Sequence, residues 1–589
     1  MTPVRDRPLT AKQVPTRGSA VDRRNILLCA SLFLLAAAAI NPVLEMGVHD
    51  DWSYTHIARE FTTTGHFVYN GWTAAMLLPQ LVWAAEFIKL FGFSCFVVRL
   101  STVVLAELLI PVLYCLGRDS GLPPPFATFA TLLTMLSPLA MLEAVSFMSD
   151  VPAFFLFVLC FCCAVKCWKA ATPKDCARWA FLTALAGVLS GLDRQIYWLA
   201  PLTFLPAIAC IRRRSVGLVR WLGVAWLAAI AAVGYAVLWF RAQPYTLTEH
   251  TLQAWKDVGP RFAICMTARM VLTVALVQLP LLAGYVAPGF KMVPRKTAAL
   301  VFAGALAGGF CVSHLFQRGA PWMGIILTQH GILPPGTVAF GTRPVILGPA
   351  VRDCLTMALF LFCAGCGLAL WRSWRAVDRR LSQDPAAPAL VLGLVFAAVL
   401  LPALVYRSAD MPAFDRYLIP LLPLAAIPLL RHYRLHVGAS VSRWSWGLLA
   451  LFALYGVATT HDAFSNARAR LTAARALEQA GIPRTEIMAG FEYDGWTQLE
   501  TAGYMNNRQI ENPTGAYRRP AICTFPEAVF HTGAPMMTAI HGVYFVVLSR
   551  LPELEDSTAP PVGYTTWLPP AQRQVITQVL PGGRHAGCR

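Results

Sequence analysis

Mostly apolar stretches of about 18 to 24 residues, each long enough to cross a bilayer, recur along this chain to about residue 460. Inside lipid every backbone polar group must find an internal partner, and segments of this length do so as helices. The composition agrees, because 56% of the 589 residues are hydrophobic and only 14% are charged. Spans are expected near 25–45, 96–116, 124–143, 150–168, 178–193, 196–211, 220–240, 266–288, 298–317, 351–371, 388–405, 416–430 and 443–460. The fold class is therefore a polytopic α-helical membrane protein with about 13 transmembrane helices. No internal repeat of the inverted type carried by many transporters is evident.

The formal charge of +18 raises nucleic acid as a partner, but the placement of the charge speaks against it. Short clusters such as Arg212-Arg213-Arg214 and Arg372 to Arg380 lie between apolar segments. With the N-terminus inside, the cytoplasmic tail and loops hold about 25 Lys and Arg, and the short external loops about 10, which fixes an N-in, C-out orientation. Residues 1–24 read as a disordered cytoplasmic tail. The apolar run after them lacks a small-residue cleavage site and reads as an uncleaved anchor. Residues 25–460 form the transmembrane domain, and 461–589 a small external α/β domain. In that domain Ala463 to Ala480 reads as a helix ended by Gly481 and Pro483. Glu486 to Phe491 and Val543 to Ser549 read as strands, with a helix near Trp496 to Tyr504. Most of the 16 cysteines, such as Cys160, Cys162, Cys163, Cys363 and Cys366, sit in apolar segments as packing residues. Cys523 and Cys588 would pair if the C-terminal domain faces an oxidising compartment.

One segment tests this topology. Thr73 to Gly92 is nearly long enough to span, yet it contains Pro79, Gln80, Glu86 and Lys89. Counting it as a span would invert the charge bias of every later loop, so it reads as an interfacial helix within an external loop, 46–95. Before it, Tyr54, Ile57, Ala58 and Phe61 follow helical spacing, with Asp51, Thr55 and Arg59 on the opposite face.

The residues that carry chemistry gather in these external turns. Asp50 and Asp51 follow the first span and can take a proton from an alcohol. Taken singly, each also suits a helix start, as does Asp150 before Val151-Pro152 in the next external turn. Arg194, Arg241, Arg407 and Arg416 stand at external ends of spans, where guanidinium groups can hold a phosphate or contact lipid headgroups. In Phe414-Asp415-Arg416-Tyr417, Asp415 is placed to orient Arg416. No glycine-rich nucleotide loop is present, and His49, His56 and His66 lack metal spacing. A divalent cation, Mg or Mn, held by Asp50, Asp51 and Asp150 is a further expectation, since hard cations take oxygen ligands.

Three motifs in this order resemble the bacterial branch of GT-C fold membrane glycosyltransferases, a group that includes protein O-mannosyltransferase-like enzymes and the aminoarabinose transferase. They are the acidic pair with an aromatic (Asp50, Asp51, Tyr54), the Asp150-Val151-Pro152 turn, and Asp415-Arg416-Tyr417 before a span punctuated by Pro420 and Pro423. Gly490-Phe491-Glu492-Tyr493-Asp494-Gly495-Trp496 also looks like the soluble tail of such proteins. The resemblance implies an inverting glycosyltransferase in the bacterial inner membrane, with its active site facing the periplasm or exterior. Its donor would be a polyprenyl-phosphate-linked sugar, and its acceptor a hydroxyl of a lipid, glycan or protein. By its position in the motif Asp50 would be the base and Asp51 would organise the acceptor or an ion, with the two roles exchanged as the alternative, because the family more often has Asp-Glu here. Asp150 and Tyr54 would organise the acceptor or an ion, and Arg194, Arg416 and Arg407 would bind the donor phosphate. The alternatives are a transporter or lipid-linked sugar flippase, which would carry paired charges near mid-span, and an assembly subunit, in which the aspartates merely cap helices.

Overall fold

A computed structural model of the chain describes residues 18–213, 215–247, 258–315, 320–333, 339–374, 384–410, 413–520, 534–583 and 586. Cys523, Cys588 and most of the N-terminal tail lie outside them. From the N-terminus the helices are α1 (Ala20–Ile40), α2 (Asp51–Thr64), α3 (Leu78–Phe91), α4 (Cys95–Asp119), α5 (Pro124–Met135), α6 (Pro138–Val145), α7 (Asp150–Lys169), α8 (Pro173–Asp193) and α9 (Leu199–Ile211). They continue as α10 (Val216–Ala242), α11 (Pro260–Val277), α12 (Leu279–Lys291), α13 (Arg295–Leu315), α14 (Pro349–Trp374), α15 (Ala387–Asp410), α16 (Leu421–His436), α17 (Arg443–Gln479) and α18 (Phe491–Ala502).

Every expected span coincides with helix, though not every helix is by itself both long and apolar enough to mark a crossing. Nine helices among the described residues are long and apolar enough: α1, α4, α7, α10, α11, α13, α14, α15 and α17. The pair α5 and α6, bent by 66° where Pro138 follows the Ser137 cap, makes a tenth if it counts as one span. Of the remainder, α8 carries Lys174, Asp175, Arg178 and Asp193, while α9 and α16 have only 13 and 16 residues. The expected span 266–288 breaks at Gln278 into α11 and α12. Pro280 lacks the N–H that would bond the carbonyl of Leu276, and the Gln278 side chain reaches across to donate to the Leu422 carbonyl at 2.9 Å.

Helices α12 and α14 cross with their backbones in contact. A Cβ on Gly289 would lie 2.0 Å from the Gly365 carbonyl oxygen, and one on Gly365 would lie 2.8 Å from the Val286 Cα. Small residues at a crossing are how membrane helices gain packing without a hydrophobic driving force. Gly289→Val is therefore expected to force the pair apart and cost about 1–3 kcal/mol, read as a lowered unfolding temperature of the purified protein.

At one end of the bundle, α3 has 14 residues, fewer than the roughly 20 that a full crossing takes. Its first turn is fixed by Asp193, which accepts the Gln80 N–H at 2.9 Å. The outward polar face expected for α2 is corrected by the structure: residues 51–58 are all buried, Asp51 and Thr55 among them. The cover comes from α18, against which α2 packs, and from Arg99 on α4.

The C-terminal segment is joined to the bundle by α17, a helix of 37 residues that runs without a break through the expected domain boundary at 460/461. A small hairpin, β1 (Leu327–Thr328) with β2 (Gly331–Ile332), touches its middle. Beyond α17, a sheet of five strands forms from β3 (Ile487–Met488), β4 (Tyr544–Val547), β5 (Glu555–Asp556), β6 (Val562–Thr565) and β7 (Gln572–Val579). Its order is β3-β4-β7-β5, with β6 also on β7, and only β3 and β4 run parallel. Both expected strands are thus present, though shorter, and the expected helix is α18, which starts at Phe491 because Asp494 accepts the Ala489 N–H and closes its first turn. Trp52 from α2 is fully buried in the same apolar cluster as Met488, Phe491, Phe545 and Val547. The loop after α1 and the sheet region therefore share one core.

Candidate active site

Asp50 precedes α2 but does not cap it: its backbone is helical and its side chain makes no capping bond. The carboxylate instead accepts from Trp72 Nε1 at 3.2 Å and Arg416 at 3.3 Å, and its Oδ2 lies 2.9 Å from His49 Nδ1. Burial alone would favour the neutral acid, but the contacts with His49, the Arg416 guanidinium and the indole N–H outweigh it and hold the group well below the usual carboxylate range.

Asp51, one residue on, points the other way and is fully buried. It accepts from the Val48 N–H at 2.6 Å and the Phe147 N–H at 3.3 Å, and pairs with Arg99 Nε at 3.0 Å. Arg99 in turn donates to the carbonyls of Leu44 and Met46. This buried pair ties the 44–51 loop to α4 and so fixes where Asp50 stands.

Arg416 is the centre of the site, 2% exposed and facing three carboxylates. Besides Asp50 it has Asp150 Oδ2 at 3.4 Å and Glu143 Oε1 at 3.9 Å, while its Nη1 lies 3.0 Å from a ring nitrogen of His49. Asp150, like Asp50, makes no capping bond; it pairs with Arg194 as well as Arg416. The expectation that Asp415 orients Arg416 is corrected. Both Asp415 oxygens accept backbone N–H groups, from Ile326 at 2.8 Å and Leu327 at 2.9 Å, so Asp415 anchors the β1–β2 hairpin instead.

Asp50, Arg194 and Arg416 border a cavity of about 740 Å³. Its polar wall holds Asp50, Tyr54, Arg194, Arg241, Arg407 and Arg416. Tyr417 forms part of the floor, with the Arg194 and Arg407 guanidinium groups 4.7 and 5.2 Å from its ring centre. Much of the remaining lining is apolar, with Leu199 on α9, Val237 and Phe240 on α10, and Pro402 and Ala403 on α15. Burial, then the Asp50 charge, pushes the Tyr54 hydroxyl up to about 12, so it stays a hydrogen-bond donor at neutral pH. Four arginines against one aspartate, in a partly enclosed space, make a site for an anion with an apolar extension.

Of the expected site residues, Asp50, Tyr54, Arg194, Arg407 and Arg416 share this cavity. Asp150 supports two of its arginines from behind, and Asp51 faces away. Asp50, Asp51 and Asp150 do not form a shared ligand set for a divalent ion, because each is turned to arginine, and no group of three His, Cys, Asp or Glu among the described residues is arranged to hold a metal. Arg99, Glu143 and the bonds made by His49 escaped the sequence reading. Arg99 and Glu143 are ionisable residues in apolar helices, a costly placement that is itself a signal of use.

The molecule is thus a multi-pass helical membrane protein with an arginine-lined cavity at the end of the bundle where its sheet region lies. No family model and no curated protein matches the sequence. Among solved structures, ArnT from Cupriavidus metallidurans bound to undecaprenyl phosphate is similar over 82% of this chain and 70% of its own, at 15% identity and a TM-score of 0.40. The S. cerevisiae protein O-mannosyltransferase Pmt1-Pmt2 complex bound to the sugar donor matches 38% of this chain and 33% of its own, at 14% identity and a TM-score of 0.32. The Archaeoglobus fulgidus oligosaccharyltransferase in complex with Zn and sulfate matches 78% of this chain and 56% of its own, at 12% identity and a TM-score of 0.36.

Proposed function

We propose that this protein is an inverting glycosyltransferase that moves a sugar from a polyprenyl-phosphate donor to a hydroxyl acceptor at the outer face of the bacterial inner membrane. One observation carries the reading: a cavity whose lining joins four arginines and a single carboxylate to apolar residues of α9, α10 and α15. The arginines suit the phosphodiester, and the apolar residues suit the first prenyl units.

Asp50 is the base. It takes the acceptor O–H proton as the acceptor oxygen attacks the anomeric carbon from the face opposite the phosphate. The C1–O bond breaks with its electron pair going to the phosphate oxygen, and Arg416, Arg194 and Arg407 stabilise the prenyl phosphate that leaves. A phosphate is already a good leaving group, so one carboxylate suffices where an inverting hydrolase needs two. Bound to Arg416 and beside His49, Asp50 is a weak base; a donor phosphate that takes Arg416 as its own partner restores proton affinity to Asp50. Tyr54 and Asp150 organise the acceptor and the arginines. Asp51 acts through Arg99 to place the loop.

The test supplies the purified protein, in nanodiscs with native acceptor membranes, with a radiolabelled polyprenyl-phosphate sugar. Label is expected to leave the prenyl lipid, with added undecaprenyl phosphate competing. A transporter or flippase would instead move intact labelled lipid across sealed vesicles, which would overturn the reading. The folded pKa of Asp50 is depressed, so the ionised base is complete above its unfolded value of about 3.9 and is lost only as pH falls through the lower folded one. In the donor-free protein Asp50 is therefore expected to impose no acid limb on kcat/KM between about pH 5 and 8. For sidedness, reporters inserted at Gly71 and Gly121 are expected to read outside and inside; the same side for both would break the assigned topology.

A further inference from the structure

The sheet region reaches into the site through His49. Its backbone sits at φ +65°, in the left-handed region that favours glycine. Its N–H donates to Glu492 Oε1 at 3.2 Å, from the first turn of α18 and 443 positions away. The other oxygen of Glu492 takes Arg470 Nη1 of α17 at 3.0 Å, and both side chains are at most 1% exposed. Arg470 is further held by the Ala489 carbonyl at 2.9 Å and by Asn466 at 3.1 Å. On its other side, the His49 ring meets Asp50 Oδ2 at 2.9 Å, Arg416 Nη1 at 3.0 Å and the edge of Phe414 at 5.9 Å between ring centres.

A buried ion pair gains little stability over well-packed apolar residues, so its retention calls for another use. Here the pair delivers one carboxylate oxygen to a single backbone N–H, that of the residue before Asp50. We propose that Glu492 and Arg470 are positioning residues. Together they hold His49 in its left-handed conformation so that the imidazole stands between Asp50 and Arg416, and the C-terminal region thereby completes the active site. This rests on Asp50 being the base. His49 itself does not line the cavity, so its role is to aim the carboxylate and the guanidinium rather than to touch substrate.

The experiment compares wild type, Glu492→Gln, His49→Asn and Asp50→Asn as full-length protein in nanodiscs. The probes are the radiolabelled polyprenyl-phosphate sugar fraction from the native host, for transfer, and undecaprenyl phosphate, for binding. Gln keeps an acceptor for the His49 N–H but loses the charge opposite Arg470. Asn accepts a positive φ but is too short to touch both Asp50 and Arg416. Both variants are expected to lower kcat per folded molecule by about tenfold to 100-fold, while KM and undecaprenyl phosphate affinity move by less than about threefold. The folded fraction is taken from thermal unfolding, and if Glu492→Gln fails to fold, His49→Asn decides. Wild-type kcat per folded molecule in the folded variants, with Asp50→Asn inactive, would overturn the positioning role while leaving the base assignment standing. Full activity in Asp50→Asn would overturn both.

Discussion

Asp50→Asn is expected to lower the transfer rate by about 10² to 10⁴-fold, the range a positioned general base contributes. Asparagine keeps the shape, and its one side-chain oxygen can still accept from Trp72 Nε1 or from Arg416, so the loop should hold and the protein should unfold close to the wild-type temperature. It cannot take the acceptor proton. Removing an anion from a cavity lined by four arginines also favours any other anion, so undecaprenyl phosphate should bind at least as tightly as to wild type. Measured by single-turnover transfer and by prenyl-phosphate titration, a lost rate with retained affinity is the expected signature. Weaker binding with an unchanged rate would show Asp50 to serve the phosphate site instead.

The largest stability effect is expected at the neighbouring pair. Arg99→Leu leaves Asp51 buried with no cation and removes both tethers on the Leu44 and Met46 carbonyls. Breaking one partner of a buried ion pair costs about 3–5 kcal/mol. The double variant Asp51→Leu with Arg99→Leu removes both charges, so it should recover part of that stability, yet transfer should stay low because the loop bearing Asp50 is no longer tied to α4. Unfolding temperature and transfer rate measured on the single and double variants separate the two effects. If stability and rate recover together, the pair serves the fold alone.

The spans were legible because length and apolarity suffice to mark a crossing, and the charge bias sorted the loops. Those two signals put Asp50, Tyr54, Arg194, Arg407 and Arg416 at the same ends of their helices, and the structure draws them around one cavity. The choice between Asp50 and Asp51 was not legible. Consecutive residues at a helix start differ by about 100° in direction, and only the position of Arg99 decides which carboxylate turns inward. The break at Gln278 had a local sign in Pro280, but a proline near the middle of a span bends some helices and ends others. Asp415 misled for a related reason. Adjacency to Arg416 suggested an ion pair, whereas the backbone N–H groups of Ile326 and Leu327, almost 90 positions earlier, were the stronger claim. The Glu492 to His49 bond has no sequence signal at all, since it joins a helix start to a loop backbone across most of the chain.

The unbroken course of α17 has a mechanical consequence. At 1.5 Å per residue its 37 residues extend about 55 Å, against about 30 Å of hydrocarbon in a bilayer. The part beyond the apolar stretch stands outside the bilayer, so a membrane thickness that tilts the span also swings Arg470, which the same helix carries. Lipid thickness thus becomes a lever on the geometry around Asp50, and the proposed transfer is expected to run at different speeds in short-chain and long-chain bilayers.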